Sequence, residues 1–198
     1  MLALLDHMAL FGWGVMPECR SESDSLRLGQ ECLIVDRAGG LQRAGVGKGS
    51  GLEIRDGIRR DEVRWLREEG DSQVQQAYLA WLEILRLALN ERFFLGLFTF
   101  EGHFARFPEG GFYKAHLDCH AGSSDRIITT ILYLNEGWQP GDGGELKLWT
   151  TAGDYAGGFV LIEPRMGTLV CFLAGDHWHE VLPTVKSRMS LTGWFLRR

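Results

Sequence analysis

The chain has 198 residues, 45% of them hydrophobic and 24% charged, with a formal net charge of −5. That length suits a single domain whose core needs no disulfides, and the acidic balance argues against a nucleic-acid partner. No basic region precedes the opening Met1-Leu2-Ala3-Leu4-Leu5, and no run reaches the roughly 18 apolar residues of a membrane span, so neither a signal peptide nor a membrane partner is expected. Cys19, Cys32, Cys119 and Cys171 are scattered without a CxxC pair, as expected of buried thiols in the cytoplasm.

Along the chain, residues before position 93 carry helical or loop-like patterns, and strand patterns follow. Leu26, Leu33 and Val35 among charged residues predict a helix over 24–38. Residues 38–57 are rich in glycine and include Arg43, Lys48 and Arg55; such a segment buries little and reads as a mobile loop. Its Gly45–Ser50 stretch lacks the GxxxxGK[ST] spacing of a phosphate loop. Ser72 and Gln75 have capping-box spacing, and Val74, Tyr78, Trp81, Leu85 and Leu89 form an apolar stripe, predicting a helix over 72–91. Short aromatic and β-branched runs then fall at 94–100, 103–107, 113–117, 127–134, 145–149, 159–162, 168–172, 180–182 and 188–196. This pattern predicts a mainly β fold with flanking α-helices, a jelly roll packed against helices on one side. One domain over 1–198 is expected, with a helical part at 1–92 and the catalytic core at 93–198.

The chemistry concentrates in that core. His116 and Asp118 are two apart on a predicted strand, so both side chains point to one face. His179 opens a later strand and can complete a set of two histidines and one carboxylate. Such a facial triad leaves open positions on non-haem Fe(II) for a chelating cosubstrate and dioxygen. Arg188 follows, and a buried guanidinium can hold the far carboxylate of a keto diacid by two parallel hydrogen bonds. Two histidines and a carboxylate also suit zinc, but HExxH is absent.

The phrases Tyr113-Lys114-Ala115-His116-Leu117-Asp118, Ile131-Leu132-Tyr133-Leu134-Asn135, Gly143-Gly144-Glu145-Leu146, His179-Glu180-Val181 and the run from Arg188 to Trp194 resemble the prolyl hydroxylase branch of the Fe(II)/2-oxoglutarate oxygenases. Upstream, Ile58-Arg59-Arg60-Asp61 leading to Trp65 resembles a segment of the hypoxia-sensing prolyl hydroxylases and their bacterial relatives. The resemblance implies a double-stranded β-helix. It implies His116, Asp118 and His179 as iron ligands, and Arg188 with Tyr133 on the distal carboxylate of 2-oxoglutarate. Thr192 and Trp194 would line the pocket, and Tyr113 would lie close to the metal. The choice of His179 over His177 rests on the His-Glu-Val phrase. Phe107-Pro108 stands where many relatives have Tyr-Pro, a departure that removes a hydroxyl.

By the same resemblance, the reaction is hydroxylation of an exposed prolyl residue in a protein, elongation factor Tu being one target by analogy. Fe(II), 2-oxoglutarate and O2 are implied, with succinate and CO2 as coproducts and ascorbate supporting turnover. Arg43, Lys48, Arg59 and Asp61 are candidates for a substrate loop, and a monomer is expected. Two other readings stand beside this one: hydroxylation of a free amino acid or small metabolite, and a metal-binding sensor module without turnover.

Overall fold

The computed structural model describes residues 1–47, 53–119 and 125–198. Among these residues, three helices, α1 (Leu2–Phe11), α2 (Glu22–Arg37) and α3 (Gln73–Phe93), accompany eleven strands. The strands are β1 (Trp13–Met16), β2 (Gln42–Arg43), β3 (Glu62–Trp65), β4 (Leu97–Phe107), β5 (Tyr113–His116), β6 (Arg126–Tyr133), β7 (Leu146–Trp149), β8 (Phe159–Ile162), β9 (Leu169–Leu173), β10 (His179–Val181) and β11 (Arg188–Arg197). They form an antiparallel seven-stranded sheet, ordered β1-β9-β6-β11-β4-β3-β2, and a four-stranded sheet, ordered β5-β10-β7-β8. This is the expected jelly roll.

Strand periodicity divides the large sheet between two cores. On β6, Ile128 and Leu132 turn to the helices, while Ile131 and Tyr133 turn to the small sheet. The outer core gathers Tyr78, Leu82, Leu85 and Leu89 of α3 with Leu28 of α2 and Leu4 of α1. The inner core joins Phe107, Tyr133, Val170 and Phe172 to Leu146, Leu148 and Val181 of the small sheet. Deleting one of these enclosed leucine side chains costs about 2–5 kcal/mol. The helix starts follow the sequence: Ser72 Oγ accepts from the Gln75 N–H at 3.2 Å, and the Gln75 side chain accepts from the Asp71 N–H at 2.9 Å. The reciprocal bond therefore reaches one residue beyond the expected box.

Several elements differ from expectation. The part before residue 93, read as helical or loop-like, also holds α1, β1, β2 and β3. The loop expected over 38–57 contains β2 and a Val46–Glu53 bridge, and β2 pairs with β3. The predicted strands 94–100 and 103–107 are one strand, β4, because Gly102 continues the ladder opposite Gly193. A Cβ on either glycine would strike the Phe100 ring, at 2.7 Å from Gly102 and 2.3 Å from Gly193. The two glycines make room for that ring across the strands; they do not mark a turn.

Candidate functional site

A cavity of about 570 Å³ opens between the two sheets. On its small-sheet side, β5 and β10 pair so that His116 lies opposite His179, with ring centroids 4.2 Å apart. Asp118 lies just beyond β5, where its N–H donates to the Ala174 carbonyl at 3.2 Å. One carboxylate oxygen is 3.5 Å from His116 Nε2 and the other 3.5 Å from His179 Nε2. One ligand atom from each of the three residues lies within 4.8 Å of the others. These separations exceed hydrogen bonds and suit atoms that share an ion.

The neighbours prepare each ligand. His116 Nδ1 donates to the Lys114 carbonyl at 2.8 Å, and His179 Nδ1 donates to the His177 carbonyl at 3.1 Å. A carbonyl can only accept, so both protons sit on Nδ1 and both Nε2 lone pairs are bare. Thr129 Oγ1 donates to Asp118 Oδ2 at 2.7 Å. Burial pushes the Asp118 pKa up, but facing His179 and His116 outweighs it and holds the carboxyl well below its usual range. Burial, reinforced by His116, brings His179 down to about 4. With those tautomers the set offers two imidazole Nε2 atoms and a carboxylate, the donor set of a non-haem iron site. Tyr113 stacks on His116 at 3.6 Å between centroids.

Beyond the cluster, toward the large sheet, lies Arg188 at the start of β11, only 1% exposed. Its Nε donates to the Gly144 carbonyl at 2.8 Å. Gly144 has φ +65°, and a Cβ there would come within 2.9 Å of Arg188 Cδ, so the loop from Trp138 to Gly144 needs its last glycine for this approach. The guanidinium carbon lies 5.0 Å from the ring centroids of both Phe107 and Tyr133. One terminal nitrogen of Arg188 and the Tyr133 hydroxyl are buried without a hydrogen-bond partner among the described residues. Burial lowers the Arg188 pKa and pushes Tyr133 up to about 12. Such orphaned donors are costly unless a ligand completes them, and the ligand that two converging donors and a cation suit is a carboxylate. Thr192 and Trp194 line the same cavity, and Thr192 Oγ1 lies 3.2 Å from Ser190 Oγ.

The remaining sequence candidates divide. Arg59 grips Asp61 through two bonds of 2.7 and 2.5 Å and lies 4.2 Å over the Tyr113 ring. Asp61 is 4% exposed, so this stretch is no solvated charge run. Arg43 lines the cavity mouth while paired with Asp56 on the surface. Lys48 lies outside the described residues. His177 stands apart from the cluster: its Nδ1 bonds the Trp149 carbonyl at 2.9 Å and its ring packs against Gly12. Two cavity neighbours were not singled out from sequence, Thr129 and His103. The strand period offered a signal, because Thr129 shares the face of Tyr133 and His103 that of Phe107.

The geometry has counterparts in known proteins. Residues 102–196 match the model of the 2OG-Fe(II) oxygenase superfamily. The crystal structure of a prolyl-4-hydroxylase from Pseudomonas putida is similar at a TM-score of 0.88 and 40% identity, over 100% of this chain and 98% of that one. A prolyl hydroxylase from Trichoplax adhaerens, solved with a hypoxia inducible factor peptide fragment, shares the fold at a TM-score of 0.79 and 24% identity, over 98% of this chain and 87% of that one. A hypoxia-inducible factor prolyl hydroxylase of Caenorhabditis elegans is 35% identical over 86 residues, 42% of this chain and only 11% of that protein's length.

Proposed function

Because this chain belongs to the 2OG-Fe(II) oxygenase superfamily, we propose that it hydroxylates a prolyl residue in a protein, using Fe(II) and 2-oxoglutarate. The observation that carries the reading is the pair of buried, unpartnered donors on Arg188 and Tyr133, in the same cavity as His116, Asp118 and His179. In this reading the three clustered residues hold Fe(II), and Arg188 with Tyr133 holds the distal carboxylate of 2-oxoglutarate.

When bound, iron and 2-oxoglutarate supply the oxidising power: O2 is consumed, succinate and CO2 are released, and one oxygen atom enters a substrate C–H bond. The protein supplies preorganisation. The Lys114 and His177 carbonyls keep both imidazoles in the tautomer that binds metal. Thr129 fixes the carboxylate, and the Gly144 carbonyl orients the guanidinium. Thr192 and Trp194 wall the space beside the metal cluster, and Tyr113 covers His116. Phe107 packs against Arg188 without contributing a hydroxyl, so 2-oxoglutarate has one hydrogen bond fewer than a tyrosine there could offer.

A protein substrate is favoured by the relatives, one of which was solved with a peptide. Arg43, Arg59 and Asp61 lie where such a segment would enter, and by analogy elongation factor Tu is the first candidate to try. Ascorbate keeps the iron reduced between turnovers. We place the enzyme in the cytoplasm as a monomer; its four cysteines are unpaired, and no helix among the described residues is long and apolar enough to cross a membrane.

The test incubates the protein with Fe(II), 2-oxoglutarate, ascorbate and air, with three separate substrates: elongation factor Tu, a pool of proline-centred peptides of random flanks, and free L-proline. The reading expects hydroxyproline in a protein or peptide, with succinate formed in equal amount. Succinate stimulated by free proline alone would overturn the protein-substrate reading.

A further inference from the structure

Three adjacent strands set Trp65, His103 and Thr192 side by side on the wall of the cavity, through the pairs Trp65–His103 and His103–Thr192. Trp65 is 50% exposed at the mouth, whereas His103 and Trp194 are 5% and 6% exposed. The imidazole and the two indoles form a three-ring cluster, with centroids 4.8 Å apart for His103 and Trp65, 5.4 Å for His103 and Trp194, and 6.1 Å for Trp65 and Trp194. His103 Nδ1 is enclosed and has no hydrogen-bond partner among the described residues. His177 also has one enclosed ring nitrogen without a partner, but its Nδ1 is held at the Trp149 carbonyl and it lies apart from the cavity that His103 lines.

The charged groups nearby are already engaged. Arg59 is paired with Asp61, Arg126 with Glu101, Arg64 with Asp71 and Arg43 with Asp56. Among the described residues the mouth therefore offers aromatic faces and the His103 imidazole, while Arg43, Arg59, Arg64 and Arg126 are each paired with a carboxylate. Aromatic walls receive extended proline-containing chains well, because such chains present flat pyrrolidine rings and unpaired backbone carbonyls.

We propose that His103 is a positioning residue for the substrate, donating a hydrogen bond from Nε2 to a backbone carbonyl of an extended peptide laid over Trp65 and Trp194. This rests on the prolyl hydroxylase reading and deepens it. Burial brings the His103 pKa down to about 4, so the ring is neutral at physiological pH and carries one proton. With Nδ1 enclosed and without a partner among the described residues, Nε2 is the nitrogen left for a ligand in the cavity, and we place the proton there. No residue of the metal cluster takes part.

The experiment compares wild type with His103→Phe, which keeps an aromatic ring, and His103→Gln, which keeps an N–H donor near the Nε2 position; His103→Met is the flexible apolar control. The probe is the pool of proline-centred peptides, followed by kinetics on the peptide that wild type hydroxylates best. The expected result is a KM about tenfold higher in His103→Phe and His103→Met, with kcat little changed and wild-type KM largely restored in His103→Gln. Affinity for 2-oxoglutarate, read by tryptophan quenching in the Mn(II)-loaded protein, stays at the wild-type value in all three. Should His103→Phe fail to fold, the Met and Gln pair decides alone. An unchanged peptide KM, no rescue by Gln, or a loss of 2-oxoglutarate affinity overturns the inference. Failure of wild type to hydroxylate any peptide overturns the underlying prolyl reading, and this inference with it.

Discussion

The two ends of the cavity are finished differently. At the small-sheet end, His116, His179 and Asp118 each have a second atom tied to a protein partner, leaving the other atoms to converge. At the large-sheet end, Arg188 Nε bonds the Gly144 carbonyl, while one of its two terminal nitrogens and the Tyr133 hydroxyl have no hydrogen-bond partner among the described residues. A metal ion needs rigid donors with fixed tautomers, so its ligands are locked in advance. A carboxylate brings its own acceptors, so its receptors are left waiting, at a cost in stability to the empty protein.

That contrast can be broken at either end. The largest effect belongs to the ligands: His179→Ala or Asp118→Ala should leave no turnover and no retained iron after anaerobic loading and desalting. Next is Arg188→Met, which should weaken 2-oxoglutarate binding by at least about 30-fold, since losing one partner of a buried charged pair costs roughly 2–5 kcal/mol. The same variant should melt at or above the wild-type temperature when empty, because it removes an uncompensated buried charge. A fall in the melting temperature would show that Arg188 is satisfied without a ligand.

Smaller changes sharpen the comparison. Thr129→Val should lower metal affinity about 10- to 100-fold without altering 2-oxoglutarate affinity once iron is saturating, measured by competition with a chelator. Tyr133→Phe should weaken 2-oxoglutarate about tenfold and spare iron. The least effect is in the pH dependence of the apoprotein. His103 titrates at about 4 when folded, against an ordinary 6.5. Between those values the unfolded chain binds more protons, so this contribution is complete above 6.5 and is lost as pH falls toward 4. His179 acts in the same direction. Urea unfolding should show the stability of His103→Phe to be less sensitive to pH over that window than that of wild type.

What could be read from the sequence followed strict periodicity. The stripe of α3 is buried where it was expected, and His116 and Asp118 converge as their spacing suggested, although Asp118 lies just past the end of β5. Residues whose surroundings come from distant strands were harder to see. Gly102 resembles a turn until Gly193 and the Phe100 ring are brought opposite it. α1 has Leu2, Leu10 and Phe11 exposed, so its composition gives no clear buried stripe. Strands β2 and β3 are short and carry charged residues; β3 is held by pairing with β4, and β2 by pairing with β3. Thr129 and His103 carry no motif; they matter because registry sets them beside Asp118 and Trp65.

The most direct test of the two-ended cavity is an anaerobic titration of the Fe(II)-loaded protein with 2-oxoglutarate, followed by visible absorption. The account predicts a weak metal-to-ligand charge-transfer band that saturates in wild type, is absent in His179→Ala, and needs far more 2-oxoglutarate in Arg188→Met. Iron-loaded wild type that develops no band and binds no 2-oxoglutarate would contradict it.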